Sequence, residues 1–180
     1  MNIPELETAL EHITLIIDTR EHQTEALNKR IAETGLPSRR EKLDVGDYSA
    51  AIITEDGEIS LAQRFAIERK MSIEELTSCF CQQRQRFERE FQRAKQSGTK
   101  IYLLIENCTY EKIINGNYKT QMHPNALLAS LFAFLARYDC QVIFCLPKTT
   151  GRIISEIVRR EAYEELLTHL DKENNGENNA

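Results

Sequence analysis

Several large functional classes are excluded by what the sequence lacks. No stretch approaches the roughly 18 uninterrupted apolar residues of a membrane span. The segment Met1 to His12 is acidic and polar rather than a positively charged signal segment, so a protein of the cell interior, off the membrane, is expected. The five cysteines (Cys79, Cys81, Cys108, Cys140, Cys145) are an odd count scattered through the chain. Cys79-x-Cys81 has no second pair and no histidine cluster beside it, which argues against zinc, and the thiols read as reduced, mostly buried small side chains. The four histidines (His12, His22, His123, His169) are dispersed. There is no Ser-His-Asp arrangement, phosphate-cradling glycine loop, dinucleotide fingerprint or internal repeat.

What is present is a chain of 180 residues with 41% hydrophobic content, enough for one globular domain with a sizeable core. The net charge of -5 at first argues against a nucleic-acid partner. Part of that charge lies in the N-terminal segment and in Asp171 to Ala180, however, and its distribution matters more than its sum.

Residues 1–12 read as an accessory helix or loose arm, 13–170 as the folded domain and 171–180 as a disordered end rich in Asn and Glu. Ile13 to Ile17 is a short β-branched apolar run, hence a buried strand, ending in Asp18-Thr19-Arg20-Glu21. A carboxylate there is placed as functional residues are in open α/β sheets, or it caps the helix that follows; both readings stand. Glu21 to Thr34 predicts a helix stopped by Gly35, and Arg39 to Asp44 a strand. Ser72 to Gln96 predicts one long helix opened by a Ser72/Glu75 capping box. On its apolar stripe, Arg84 falls between Phe80 and Phe87, where it is either a buried ion pair or a cation facing substrate phosphate. Lys100 to Glu106 and Gln141 to Leu146 read as buried strands. Tyr110 to Gln121 reads as a polar connection, and His123 starts a helix through Tyr138. A last helix, capped by Thr149 or Thr150, runs to about Leu170, and its face from Ile153 to Leu170 is wide enough for a core and a partner alike. This alternation predicts an α/β fold, a mixed sheet with helices on both faces.

The chain is organised around Gly46 to Lys70. Asp47 precedes one predicted strand (Tyr48 to Thr54), Glu68 lies near the end of another (Arg64 to Lys70), and Asp56-Gly57 between them is a hairpin-turn signal. If the strands pair, Asp47 and Glu68 meet at one end. Alternation puts Glu68 and Lys70 on one face and Arg69 on the other. Two carboxylates and a lysine suit phosphodiester hydrolysis: the acids hold a hard divalent cation, and the lysine positions or deprotonates the attacking water. The pattern Asp-x(n)-Glu-x-Lys is weak alone in a chain that is 28% charged.

Taken together and in order, Asp18-Thr19-Arg20-Glu21, Gly46-Asp47-Tyr48, Ile67-Glu68-Arg69-Lys70 and Arg84-x-Arg86-Phe87 resemble the nuclease domain of the XPF-type endonucleases, in the PD-(D/E)xK superfamily. The resemblance covers roughly residues 14 to 160, including Leu103-Leu104-Ile105-Glu106. It implies a restriction-endonuclease-like fold and a Mg2+- or Mn2+-dependent endonuclease acting on branched DNA such as flaps and forks. It assigns catalysis to Asp47, Glu68 and Lys70, and metal binding to Asp47 and Glu68 with Asp18 and Glu21 close by. Arg20, Arg69, Arg84 and Arg86 go to the substrate side. Two departures are visible: Glu74 stands where family members often carry an aspartate, and no tandem helix-hairpin-helix repeats follow. The second suggests a stand-alone nuclease of bacterial or phage type, in the cytoplasm. With no such module and a negative net charge, a homodimer built on the final helices is expected, with Ile157 or Leu166 as anchors.

Overall fold

The computed structural model describes residues 3–54 and 57–177, with side chains described over 5–54 and 57–171. Seven strands form one mixed sheet: β1 (Ile13–Asp18), β2 (Ser38–Glu41), β3 (Tyr48–Thr54), β4 (Gly57–Ser60), β5 (Phe65–Lys70), β6 (Lys100–Glu106) and β7 (Gln141–Cys145). Their order is β2-β1-β3-β5-β6-β7, with β4 paired to the far half of β3. Only β3 runs against the parallel set of β1, β5, β6 and β7. Seven helices connect and cover the strands: α1 (Ile3–Glu11), α2 (Glu25–Thr34), α3 (Ile73–Phe80), α4 (Arg84–Ser97), α5 (Tyr110–Ile114), α6 (Pro124–Tyr138) and α7 (Pro147–Glu177).

The apolar runs form strands because both of their faces are covered. Leu15, Ile17, Ile67 and Leu104 pack in one core with α1, α2 and α7. Ala66, Ile101, Leu103 and Ile105 pack in the other with α3, α4 and α6, around a nest of Phe80, Phe87, Phe91 and Phe134. Helices therefore lie on both faces, as the alternation predicts. On the first face α7 approaches α2 so closely that a Cβ at Gly151 would stand 2.5 Å from the Arg30 carbonyl oxygen. The glycine costs about 1 kcal/mol of helix propensity relative to alanine, but it permits that contact.

Several expectations change. The predicted helix over 72–96 is two helices: the Gln83 N–H bonds to the Ser78 carbonyl at 3.0 Å, five residues back, which loops residues 81–83 out of the helical path. This break turns Arg84 outward, so it is neither a buried ion pair nor aimed at the sheet; it sits half-exposed against Glu88. The chain after the expected turn enters β4, which pairs with the far half of β3, and Asp56 of that turn lies outside the described residues; β3 still pairs β5 antiparallel at Tyr48 and Ile67, which brings Asp47 and Glu68 to one end as expected. Finally α7 starts at Pro147 and continues through Glu177, into the segment expected to be disordered, of which 178–180 lie outside the described residues. The dimer anchors expected on this helix, Ile157 and Leu166, are spent on the chain's own core.

Candidate active site

The carboxyl ends of β1, β5 and β6, with the start of β3, make the edge on which functional side chains gather. Gly46 sets the geometry. Its φ of +74° is favoured by glycine, and a Cβ there would lie 2.8 Å from Ala66 Cβ and 3.1 Å from the Ile67 carbonyl. That close approach allows the Asp47 N–H to bond the Ile67 carbonyl at 2.8 Å, while Asp47 Oδ2 accepts from the Arg69 N–H at 2.8 Å. Asp47 is thus pinned beside β5, next to Glu68. Strand alternation holds as expected: Lys70 Nζ donates to Glu68 Oε1, and Arg69 points through the sheet to Glu106. The Lys70 ammonium also stands 5.2 Å from the centroid of the Phe87 ring, a cation–π contact that fixes it over α4.

These groups open on a cleft of about 210 Å³ lined by five carboxylates (Glu21, Asp47, Glu68, Glu75, Glu90) and three cations (Arg20, Lys70, Arg86). Acids exceed bases, and the electrostatics follow. Burial and then the charges of Glu68 and Glu21 push the Asp47 carboxyl well above its ordinary range. Burial also raises Glu68, against the pull of Lys70. Burial alone would lower Lys70, but the Glu68 charge outweighs it, so the lysine is held as an ammonium. Cys79, the sulfur lining the cleft, keeps its proton because burial raises it.

Two buried acids forced together with too little positive charge fit a hard cation with oxygen preference, such as Mg2+, which takes one or two carboxylates and keeps its waters. Among the described residues no group of three or more His, Cys, Asp or Glu side chains is placed to hold a metal ion, so the direct ligands on offer are one or two carboxylates. The remaining side chains expected at the site divide. Glu21, Arg20 and Arg86 line the cleft. Asp18 does not: its Oδ1 accepts from the Arg20 N–H and Nε at 2.7 Å, and its Oδ2 from the Leu43 N–H at 2.7 Å. Burial would raise Asp18, but the Arg20 bonds prevail and lower it. Its carboxylate thus holds Arg20 at the rim. Arg69, paired with Glu106 at 3.1 Å and largely buried, is not on the substrate side. Glu74 accepts from the Lys119 N–H at 3.1 Å and ties the connection after α5 to α3.

Glu75 and Glu90 were not expected in the cleft. Glu90 accepts from the Gly46 N–H at 3.2 Å and faces Glu68 across the cleft. Its signal was its spacing, three residues after the inward Phe87 and one before Phe91. Glu75 was legible as a capping-box residue, and its Oε2 instead accepts from the Met71 N–H at 2.7 Å.

The family model of the ERCC4 domain matches residues 17–157. In fold the chain is similar to XPF from Aeropyrum pernix, with a TM-score of 0.59 and 18% identity over 81% of this chain and 63% of that one. It is likewise similar to XPF from Aeropyrum pernix in complex with DNA, with a TM-score of 0.58, 18% identity and the same coverage. The chain therefore spans less than two thirds of the length of the solved structures it matches, and at this identity the likeness establishes the fold. No curated protein matches the sequence.

Proposed function

The chain belongs to the ERCC4 domain family, and from that premise we propose that it is a Mg2+- or Mn2+-dependent endonuclease that hydrolyses phosphodiester bonds in DNA, with branched duplexes such as flaps and forks as its substrates. The observation that carries the reading is the crowded pair Asp47 and Glu68 beside Lys70, in a cleft with more acids than bases. Asp47 and Glu68 would hold the cation, with Glu21 on the adjoining wall. When bound, such an ion supplies Lewis acidity toward the phosphoryl oxygens and toward water. Lys70, a donor rather than a base in this environment, orients the water or the phosphoryl oxygen and offsets developing charge. Arg20, held by Asp18, and Arg86, on the exposed side of α4, meet flanking phosphates at the rim. A second copy would double the basic surface and so favour binding. Light scattering with and without branched DNA reads the oligomeric state.

The direct test is incubation of labelled flap, fork and linear duplexes with Mg2+, Mn2+ or EDTA. Cleavage of branched DNA with either metal and none in EDTA is expected. Binding without cleavage under every condition would make the chain a non-catalytic DNA-binding member of its family.

A further inference from the structure

Tyr48 is 1% exposed, yet its hydroxyl is not idle in that core. Arg30 Nη1 donates to the phenol oxygen at 2.8 Å, and the phenol donates to Glu21 Oε2 at 3.3 Å. Chemistry fixes the direction of this chain: a guanidinium only donates and an ionised carboxylate only accepts, so the hydroxyl proton is left for Glu21. Behind Arg30 the network continues. Its Nε lies 3.8 Å from Glu106 Oε1, which also accepts from Thr150 Oγ1 at 2.7 Å, and Glu106 Oε2 accepts from Arg69 Nη1 at 3.1 Å. Arg30, Glu106 and Thr150 are buried. Two guanidiniums share one carboxylate there, which leaves a positive charge in a region of low dielectric, and a second carboxylate offsets it. Glu21 is that carboxylate, reached through Tyr48, and it is also a wall of the cleft.

We propose that Tyr48 and Arg30 are positioning residues for Glu21: they anchor one of its oxygens against the sheet so that its remaining lone pairs face the cleft, where it would accept from the waters of a divalent cation held by Asp47 and Glu68. The inference deepens the nuclease reading and rests on it for the role of the cation. An apolar strand residue would fill the core as well as Tyr48 does. The hydroxyl links the Arg30 side chain to the cleft wall, and outer-shell partners of this kind matter about 10- to 100-fold in metal affinity.

The test is calorimetric titration of the full chain with Mn2+, for wild type, Tyr48→Phe, Glu21→Gln and the double variant, with melting curves in EDTA alongside. Tyr48→Phe should weaken Mn2+ binding about tenfold, the low end for a contact of this length. Glu21→Gln should weaken it at least as much, and the double variant no further, because the hydroxyl acts through that carboxylate. If Tyr48→Phe melts below the assay temperature, Arg30→Gln, which keeps the phenol and removes its orienting donor, carries the same expectation. Unchanged Mn2+ affinity in these variants, losses that multiply in the double variant, or a wild type that binds no Mn2+ would overturn the proposal. Wild type that shows the coupling but cleaves no DNA would retire the nuclease reading and leave the positioning role standing.

Discussion

Strands β5 and β6 carry a buried acid cluster at each end, and the two clusters treat charge in opposite ways. At the amino ends, Glu161 of α7 accepts from Arg64 Nε at 2.9 Å, from Lys100 Nζ at 2.6 Å and from the Tyr102 hydroxyl at 2.5 Å, while Arg64 also bonds Glu165 at 2.5 Å. At the carboxyl ends, Glu68 and Asp47 share one ammonium, Lys70, and face Glu21, Glu75 and Glu90 across the cleft. Burial does not separate them, since Glu161 is 2% exposed and Glu68 5%. Partners do. Burial would raise Glu161, but Lys100, Tyr102 and Arg64 together bring it below its ordinary value, whereas Glu68 and Glu21 drive Asp47 further up. One end of the strands is satisfied internally and clamps α7 to the sheet; the other is short of positive charge until something cationic arrives.

The sharpest way to break that contrast is to neutralise one acid at each end. Asp47→Asn keeps the acceptor for the Arg69 N–H and removes a like charge beside Glu68. Cleavage should fall by about 10²- to 10³-fold or more with the loss of charge stabilisation at the phosphoryl group, while stability in EDTA holds or rises. Glu161→Gln should do the reverse, leaving the single-turnover cleavage rate in place and costing about 3 kcal/mol in urea unfolding, because Arg64 and Lys100 lose a buried partner. An Asp47→Asn protein that unfolds more easily than Glu161→Gln would show that the cleft acids are structural after all.

A smaller effect separates the two ends by pH. The Glu161 carboxyl is held below its ordinary value of 4.5, so its contribution is fully present above that pH and is lost as pH falls through the lower folded value. Asp47 is held well above its ordinary 3.8, so its ionisation in the fold is a penalty that proton uptake relieves as pH falls toward its raised value. Urea unfolding in EDTA from pH 7 downward should therefore show wild type gaining on Asp47→Asn before pH 4.5 is reached. Loss of the Glu161 contribution begins only below that point. A wild type that loses stability relative to Asp47→Asn over the upper part of this range would mean that Asp47 is not under repulsion.

The arrangement of the acid-rich end was largely legible in the sequence, because it is local. Gly46-Asp47, the alternation of Glu68, Arg69 and Lys70, and the buried run before them depend on neighbours in the chain and on strand period. The rest of the site depends on packing across long separations, which no window contains. Asp18 reads as a ligand until Leu43, 25 residues on, is found donating to it. Arg69 reads as a substrate-side cation, and its partner Glu106 on β6 is 37 positions away. Glu90 lies among Arg86, Glu88, Arg89 and Arg93, a run of alternating charge that does not single it out, and the break at residues 81–83 that separates α4 from α3 has no glycine or proline to announce it. The Glu161 cluster joins residues 97 positions apart, so the sequence could show an amphipathic α7 but not what its inward acid would meet.

That break also supplies the smallest and most specific test, because it separates two arginines, two positions apart, that the resemblance put on the substrate side alike. A continuous helix would have placed Arg84 on the inward stripe. With the chain looped out at residues 81–83, Arg84 becomes the first residue of α4, half-exposed and bonded to Glu88 at 3.0 Å, while Arg86 lines the cleft on the rim. Exposed i,i+4 pairs of the first kind contribute only about 0.3–0.5 kcal/mol. A guanidinium meeting phosphate contributes about 1–2 kcal/mol, roughly tenfold in affinity, and releases a counterion as it does so. Arg86→Ala should thus weaken binding of a flap duplex about tenfold and reduce the slope of log affinity against log salt by about 1. Arg84→Ala should leave both the affinity and the slope where they were. Equal losses in the two variants would mean that DNA runs along the outer face of α4 instead of across the cleft, and the acid-rich end of the sheet would then lack its substrate-side cation.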